Sequence, residues 1–192
     1  AAGVYPVLVK DASNCVSIVQ NITISSPAAL TTTISKTDIT CNGSSNGSIT
    51  ITASGGTGTK QYSKNNGLSY QLSNTFSGLA AGTYPIVVKD ANNCVSVVQN
   101  LVITNPAILT VAITKTDLTC NGSLNGMITI TTAGGTGVKQ YSKDNGVTYQ
   151  AANIFSGLAA GTYPILVKDA NNCLSSAQNI IISSPAALNV SI

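Results

Sequence analysis

Ala81–Cys94 reads AGTYPIVVKDANNC. Nearly the same letters stand at Ala2–Cys15 (AGVYPVLVKDASNC) and at Ala160–Cys173 (AGTYPILVKDANNC), so the motif returns every 79 residues. Its centre is a short β-branched run, and it ends in Asp-Ala-Asn-Asn. That is a buried strand running into a turn, because β-branched side chains suit a pleated surface and Asp and Asn stabilise turns through their own backbone. Leu79-Ala-Ala-Gly-Thr-Tyr, just upstream, has the form of a tyrosine corner, in which the phenol bonds backbone a few residues earlier. Tyr84 and Tyr163, with Gly82 and Gly161, are therefore expected to be structural. Pro85 sits where a central strand should donate a ladder bond, which predicts a bulge or a late strand start.

The same period holds beyond the motif. CNGSSNGSITI at Cys41–Ile51 returns as CNGSLNGMITI at Cys120–Ile130, and residues 27–105 match residues 106–184 at about 55 of 79 positions. Self-similarity at this period defines the organisation before any local reading. It implies residues 1–26 as the C-terminal strands of an upstream repeat, 27–105 and 106–184 as complete repeats, and 185–192 as the start of a downstream one. Pro27, Pro106 and Pro185 mark short joints. Within the first full repeat, strand signals fall at 30–40, 48–53, 60–64, 68–72, 74–79, 83–90 and 95–104, punctuated by Asn-Gly turns. Seven strands at that spacing predict an all-β protein of tandem immunoglobulin-like β-sandwich repeats in an extended array.

Composition agrees and excludes several functions. The chain holds nine Lys and six Asp with no Arg, Glu, His or Trp. A net charge of +3 without a basic cluster is no nucleic-acid footprint, and no apolar run is long enough for membrane insertion.

These residues also resemble a known family. CNG-x2-NG-x-ITI, GGTG followed by QYS, the YSKNNG hairpin and F-x-GLAAGTYPI-x-VKDANNC are similar to the SprB-type repeat of large cell-surface gliding-motility adhesins of Bacteroidetes. The resemblance covers essentially the whole chain. It implies an immunoglobulin-like fold, an extracellular location at the cell surface, and service in adhesive filaments for gliding. Gly58-Thr59-Lys60-Gln61-Tyr62 departs from the family's usual Pro-Tyr after the GGT.

The chemistry available is narrow. A nucleophile with its base would have to be Ser with Lys, and no Lys sits in a sequence that reads as a buried pocket, so no catalytic residue and no cofactor are assigned. Asp38, Asn42 and Asn46 are oxygen donors close in sequence that could suit calcium, although calcium sites concentrate carboxylates and ordinary turn chemistry accounts for all three. The cysteines are isolated, unlike the paired spacing of zinc ligands. No metal site is assigned.

Cys15, Cys41, Cys94, Cys120 and Cys173 are disulfide candidates, as in an exported chain. Pairing within a repeat, Cys41 with Cys94 and Cys120 with Cys173, would close loops of 53 residues. In an immunoglobulin-like sandwich those positions lie at opposite ends, separated by a strand about 25–33 Å long, whereas bridged Cα atoms stand about 4.4–6.8 Å apart. A head-to-tail array would instead let Cys41 meet Cys173, leaving Cys15, Cys94 and Cys120 for repeats outside these residues. A reduced thiol packing as a small apolar group is the third possibility.

Two functions of different class follow. The first is a structural segment of a surface adhesin or filament, whose partners are neighbouring repeats and other copies in a fibre. The second is a carbohydrate- or surface-binding sandwich module, using Thr-rich faces at Thr31–Thr33, Thr50/Thr52 and Thr129–Thr132, or Tyr62 with Tyr70.

Overall fold

A computed structural model describes residues 1–190, so the last two residues of the 185–192 segment lie outside the described residues. The chain is all β, with no helix among the described residues. By compactness it divides into two units, residues 1–35 with 49–76 and 83–101, and residues 36–48 with 77–82 and 102 onward.

Residues 106–184 lie within the second unit and form two three-stranded sheets. One has the order β12 (Ile154–Leu158), β10 (Gly126–Ala133), β9 (Thr110–Thr116), and the other β11 (Gln140–Ser142), β13 (Gly161–Lys168), β14 (Gln178–Ile182). All pairings are antiparallel. Alternation explains the packing: Ile128 and Ile130 on β10 point one way with Thr129 between them, and Ile165 and Val167 on β13 do the same. Both rows meet in one core with Leu109, Leu118, Phe155, Leu158 and Ile182. Core strands from both sheets make this a sandwich, and each fully buried Ile contributes about 1.5–3 kcal/mol.

The preceding repeat has the same sheets, β3 (Thr31–Thr37), β4 (Gly47–Ser54), β6 (Thr75–Leu79) and β5 (Gln61–Ser63), β7 (Gly82–Lys89), β8 (Gln99–Ile103). In the first unit Ile49, Ile51, Phe76, Ile86 and Val88 are buried. β1 (Gly3–Val7) and β2 (Gln20–Ile24) form a separate two-stranded sheet.

Three local expectations are corrected. Each full repeat has six named strands, not seven: 68–72 reduces to a single bridge, Tyr62 with Gln71. The reason is that side chains claim its backbone. Gly67 N–H donates to Ser63 Oγ at 2.9 Å and Ser69 N–H to Asn65 Oδ1 at 3.0 Å, which leaves a tight loop instead of a ladder. The 95–104 strand is also divided, because Val88 N–H donates to Ser96 Oγ at 3.1 Å, and the strand proper starts at Gln99.

The late strand start expected at Pro85 is not seen, since β7 runs from Gly82 to Lys89, and the equivalent Pro164 shows how a proline is accommodated there. β13 pairs with β14 in unbroken register from Gly161↔Ile182 to Ile165↔Gln178, straight through Pro164↔Asn179. Pro164 O accepts from Asn145 N–H, so its nitrogen also faces the side where the three-residue β11 has already ended. The missing donor therefore costs no ladder bond. The bulge lies elsewhere, in β12, where the register with β10 shifts between Gly126↔Leu158 and Ile128↔Phe155. Gly157 takes φ 68° there, a left-handed value that glycine adopts freely.

Candidate functional site

The residues that carry chemistry cluster on two loops of the second unit. The first is Thr40–Asn46, between β3 and β4. Its shape comes from its own side chains: Asn46 Oδ1 accepts Thr40 N–H at 3.1 Å, Asn46 Nδ2 donates to Thr40 Oγ1 at 2.6 Å, and Ser44 N–H donates to Cys41 O at 3.0 Å. Two further bonds anchor it. Asn42 Nδ2 donates to Pro106 O at 2.8 Å, and Gly43 N–H to Asn105 Oδ1 at 3.2 Å. Cys41 is thus held on a fixed loop.

The second loop is Asp169–Cys173, after β13. Asp169 is buried, and its carboxylate is the hub. Oδ1 accepts the amides of Asn171 at 2.8 Å and Cys173 at 2.9 Å, while Oδ2 accepts Thr136 N–H at 2.7 Å. Burial pushes this carboxyl up, but the amides of Thr136, Cys173 and Asn171 outweigh it, with the Lys139 charge adding, and hold it below the ordinary value. Asn172 completes the turn at φ 62°. The Gly-Gly-Thr segment that supplies Thr136 must run close to the chain: a Cβ on Gly134 would stand 2.0 Å from Ile108 O.

Cys41 and Cys173 are joined by a disulfide, with Cα atoms 5.5 Å apart and a sequence separation of 132. Thr40 O also accepts Asn171 Nδ2 at 3.2 Å. Cys15, Cys94 and Cys120 are exposed free thiols. The 53-residue pairings of Cys41 with Cys94 and of Cys120 with Cys173 are not formed. An open cavity of about 390 Å³ lies beside the bridge, lined by Cys41, Pro106, Ile108, Leu109, Asp169 and Leu174. Its one carboxylate already accepts three amides, so it faces the cavity with no free base.

The remaining candidates are dispersed. Asp38 accepts Lys36 Nζ at 2.9 Å and Thr104 N–H at 2.7 Å, and both lower its pKa. Asn42 and Asn46 are committed to the bonds given above, so the three do not converge as ligands. Tyr163 Oη donates to Ala159 O at 3.0 Å, and Tyr5 Oη to Ala1 O at 2.7 Å. A Cβ on Gly82 or Gly161 would meet nothing within 4 Å, so close packing does not require glycine there. Tyr62 and Tyr70 do not share a face. Tyr62 pairs with the fully buried Val88, and its equivalent Tyr141 packs on the core. Tyr70 instead lies under Lys89, with Nζ 4.5 Å from the ring centroid.

The hub role of Asp169, and of Asp90 before it, was not visible in the sequence. Asp90 accepts Thr57 N–H at 2.7 Å, a residue 33 positions earlier, and local turn preferences do not reach that far. The only sequence sign was the recurrence of Asp with Gly-Gly-Thr at one spacing.

Tandem sandwich repeats built on loops of this kind define a modular structural protein. The family model of the SprB repeat matches residues 33–69 and 112–148, so the chain is similar to SprB-type repeats over those two segments. Among solved structures the chain is similar to the fibronectin(III)-like modules of Clostridium thermocellum CbhA, at 17% identity and TM-score 0.35, covering 79% of this chain and 94% of that one. It is also similar to a C-terminal fragment of intimin in complex with the intimin-binding domain of the translocated intimin receptor, at 14% identity and TM-score 0.40, covering 81% and 64%. A third is the N-terminal part of the bacteriophage RB49 outer capsid protein Hoc, at 13% identity and TM-score 0.42, covering 80% and 59%. Comparison with curated proteins gives no match.

Proposed function

We propose that this chain is a load-bearing repeat segment of an extracellular surface adhesin or filament, serving adhesion and gliding, and that it is not an enzyme. One observation carries the reading: the Cys41–Cys173 bridge spans 132 residues, so it ties one 79-residue repeat to the next instead of closing a loop within a repeat. A link of that kind suits a chain under traction. In a longer array of the same repeats, Cys15, Cys94 and Cys120 would bridge to equivalent loops of neighbours. The absence of His, Glu and Arg supports a role without catalysis, since acid–base chemistry needs such groups in position. Non-reducing peptide mapping tests the reading. Peptides holding Cys41 and Cys173 should be recovered linked, and recovery of 53-residue links alone would overturn it.

The alternative is a module that touches a surface or a carbohydrate directly. The observation in its favour is an uncharged hydroxyl face on β3, β4 and β6: Thr31 bonds Ser54 at 2.8 Å, Thr50 bonds Thr75 at 3.3 Å, and Thr37 bonds Ser48. Those hydroxyls are paired with one another, which weakens the case for a ligand. Retention of the chain on a glycan array, lost with Thr50→Val, would favour this reading over the filament.

A further inference from the structure

The chain enters the sandwich of residues 106–184 through β9, its first strand, and leaves through β14, its last, and these two lie in different sheets. A Lys-Thr-Asp step at the end of β9 joins them. Lys115 Nζ donates to Ile181 O at 2.6 Å and to both oxygens of Asp117, at 2.9 and 3.2 Å. Asp117 Oδ1 in turn accepts Ser183 N–H at 2.8 Å, and Leu118 N–H donates to Ser183 O at 3.0 Å. The same step stands in the preceding repeat. There Lys36 Nζ donates to Val102 O at 2.6 Å, and Asp38 Oδ1 accepts Thr104 N–H at 2.7 Å.

The order of these partners fixes a direction. They rise together in sequence, from 115 with 181 to 118 with 183, and from 36 with 102 to 38 with 104. Segments that rise together run parallel. A pull on the two ends of a repeat then draws its first strand one way and its last strand the other. Bonds between them are sheared side by side and must fail together, whereas bonds opened from one end fail singly. At equilibrium the same pair is worth little, because Lys115 and Asp117 keep 38% and 44% of their side-chain surface in water. Its effect belongs to the direction of load.

We propose that Lys115 with Asp117, and Lys36 with Asp38, are mechanical clasps that tie the first strand of a repeat to its last and set how long the repeat survives a pull along the chain. The proposal rests on the filament reading only in taking the chain to be pulled. The Cys41–Cys173 bridge carries tension past residues 42–172, so the clasps bear it where that bridge is open.

The test is unfolding of the full chain, one molecule at a time at constant force, which reads the unfolding rate. A dithiol reductant is present. It passes two electrons and two protons to Cys41–Cys173 and closes its own disulfide, which leaves the backbone to carry the load. Pulled by its ends, the chain should lengthen in two steps of 79 residues, each about 260–280 Å. Lys115→Met should shorten the lifetime of one step by about 5-fold or more, as for a net hydrogen bond that holds until the barrier is crossed. Lys36→Met should shorten the other, and Lys115→Arg, which can still donate, should restore the first. A second pulling direction separates a clasp from ordinary stabilisation. Handles are attached through azide-bearing residues in place of Leu124 and Val147, which are exposed and lie outside β9 and β14. In that direction Lys115→Met should match the wild type. Equal lifetimes for the wild type and Lys115→Met in the end-to-end pull overturn the inference, and so does an equal loss in both directions. The unreduced chain checks the filament reading separately: it should show neither step. If it shows both, the bridge has failed, while the comparison of variants still decides the clasp.

Discussion

At the scale of single residues, a few carboxylates hold loops that hydrophobic burial cannot hold. Asp169 has no cation in direct contact and is stabilised by three amides; removing it leaves three N–H groups in a partly buried turn. Asp169→Ala is expected to cost about 2–3 kcal/mol, read as a lowered urea midpoint, with Asp117→Ala, which loses one amide bond from Ser183 and an exposed ion pair, costing less. Asp144 sets a pH dependence. Ser142 first, then Thr148, donate to it and lower its pKa to about 2. An unfolded Asp titrates at about 3.9, so the folded value is the depressed one. Its stabilisation is therefore complete above pH of about 4 and is lost as pH falls toward 2. Asp144→Asn, which restores the Asn that the first repeat carries at position 65, should flatten the urea midpoint between pH 5 and pH 2. An equally steep fall in the variant would show that other carboxylates set it. That these Asp residues belong to turns was legible in the sequence; the distant amides they bind were not.

At the scale of elements, periodicity gave most strands because alternation is a property of the strand itself. Ile49 and Ile51 inward with Thr50 between them needed no tertiary knowledge. What failed were segments whose backbone bonds are taken by side chains four residues earlier, such as 68–72 after Ser63 and Asn65, and positions whose meaning depends on the length of a neighbour. Pro164 is of the second kind: nothing in its own sequence says that β11 ends after three residues. Two substitutions separate these effects. Pro164→Ala should cost at most about 1 kcal/mol, through a looser unfolded chain, since no ladder bond is gained. Ile130→Ala, in the core, should cost about 2–5 kcal/mol through lost burial and the cavity left behind. A large loss for Pro164→Ala, seen in denaturant melts, would mean that the ring packs where the strand geometry says it does not.

At the scale of the whole molecule, the cysteines raise a question that composition does not answer. Five thiols with one period are compatible with several connectivities, and strand order decides which loops share a pole. The realised bridge links Cys41 to Cys173, while Cys120 stands on the same loop as Cys41 one period later and is a free thiol. This gives an internal control. A cross-link over 132 residues removes loop-closure entropy from the unfolded chain worth about 4–5 kcal/mol on the chain-entropy model. Cys173→Ser should therefore lower the stability of the second unit by an amount approaching that figure, and reduction of the wild type should produce the same drop. Cys120→Ser changes an exposed residue with no bridge to lose, so it should leave the melt within about 0.5 kcal/mol of wild type. Urea melts of the three proteins, each with and without reductant, measure all of this. If Cys173→Ser and Cys120→Ser behave alike under oxidising conditions, the bridge does not form in solution, and the repeats are joined by backbone and hydrogen bonds alone.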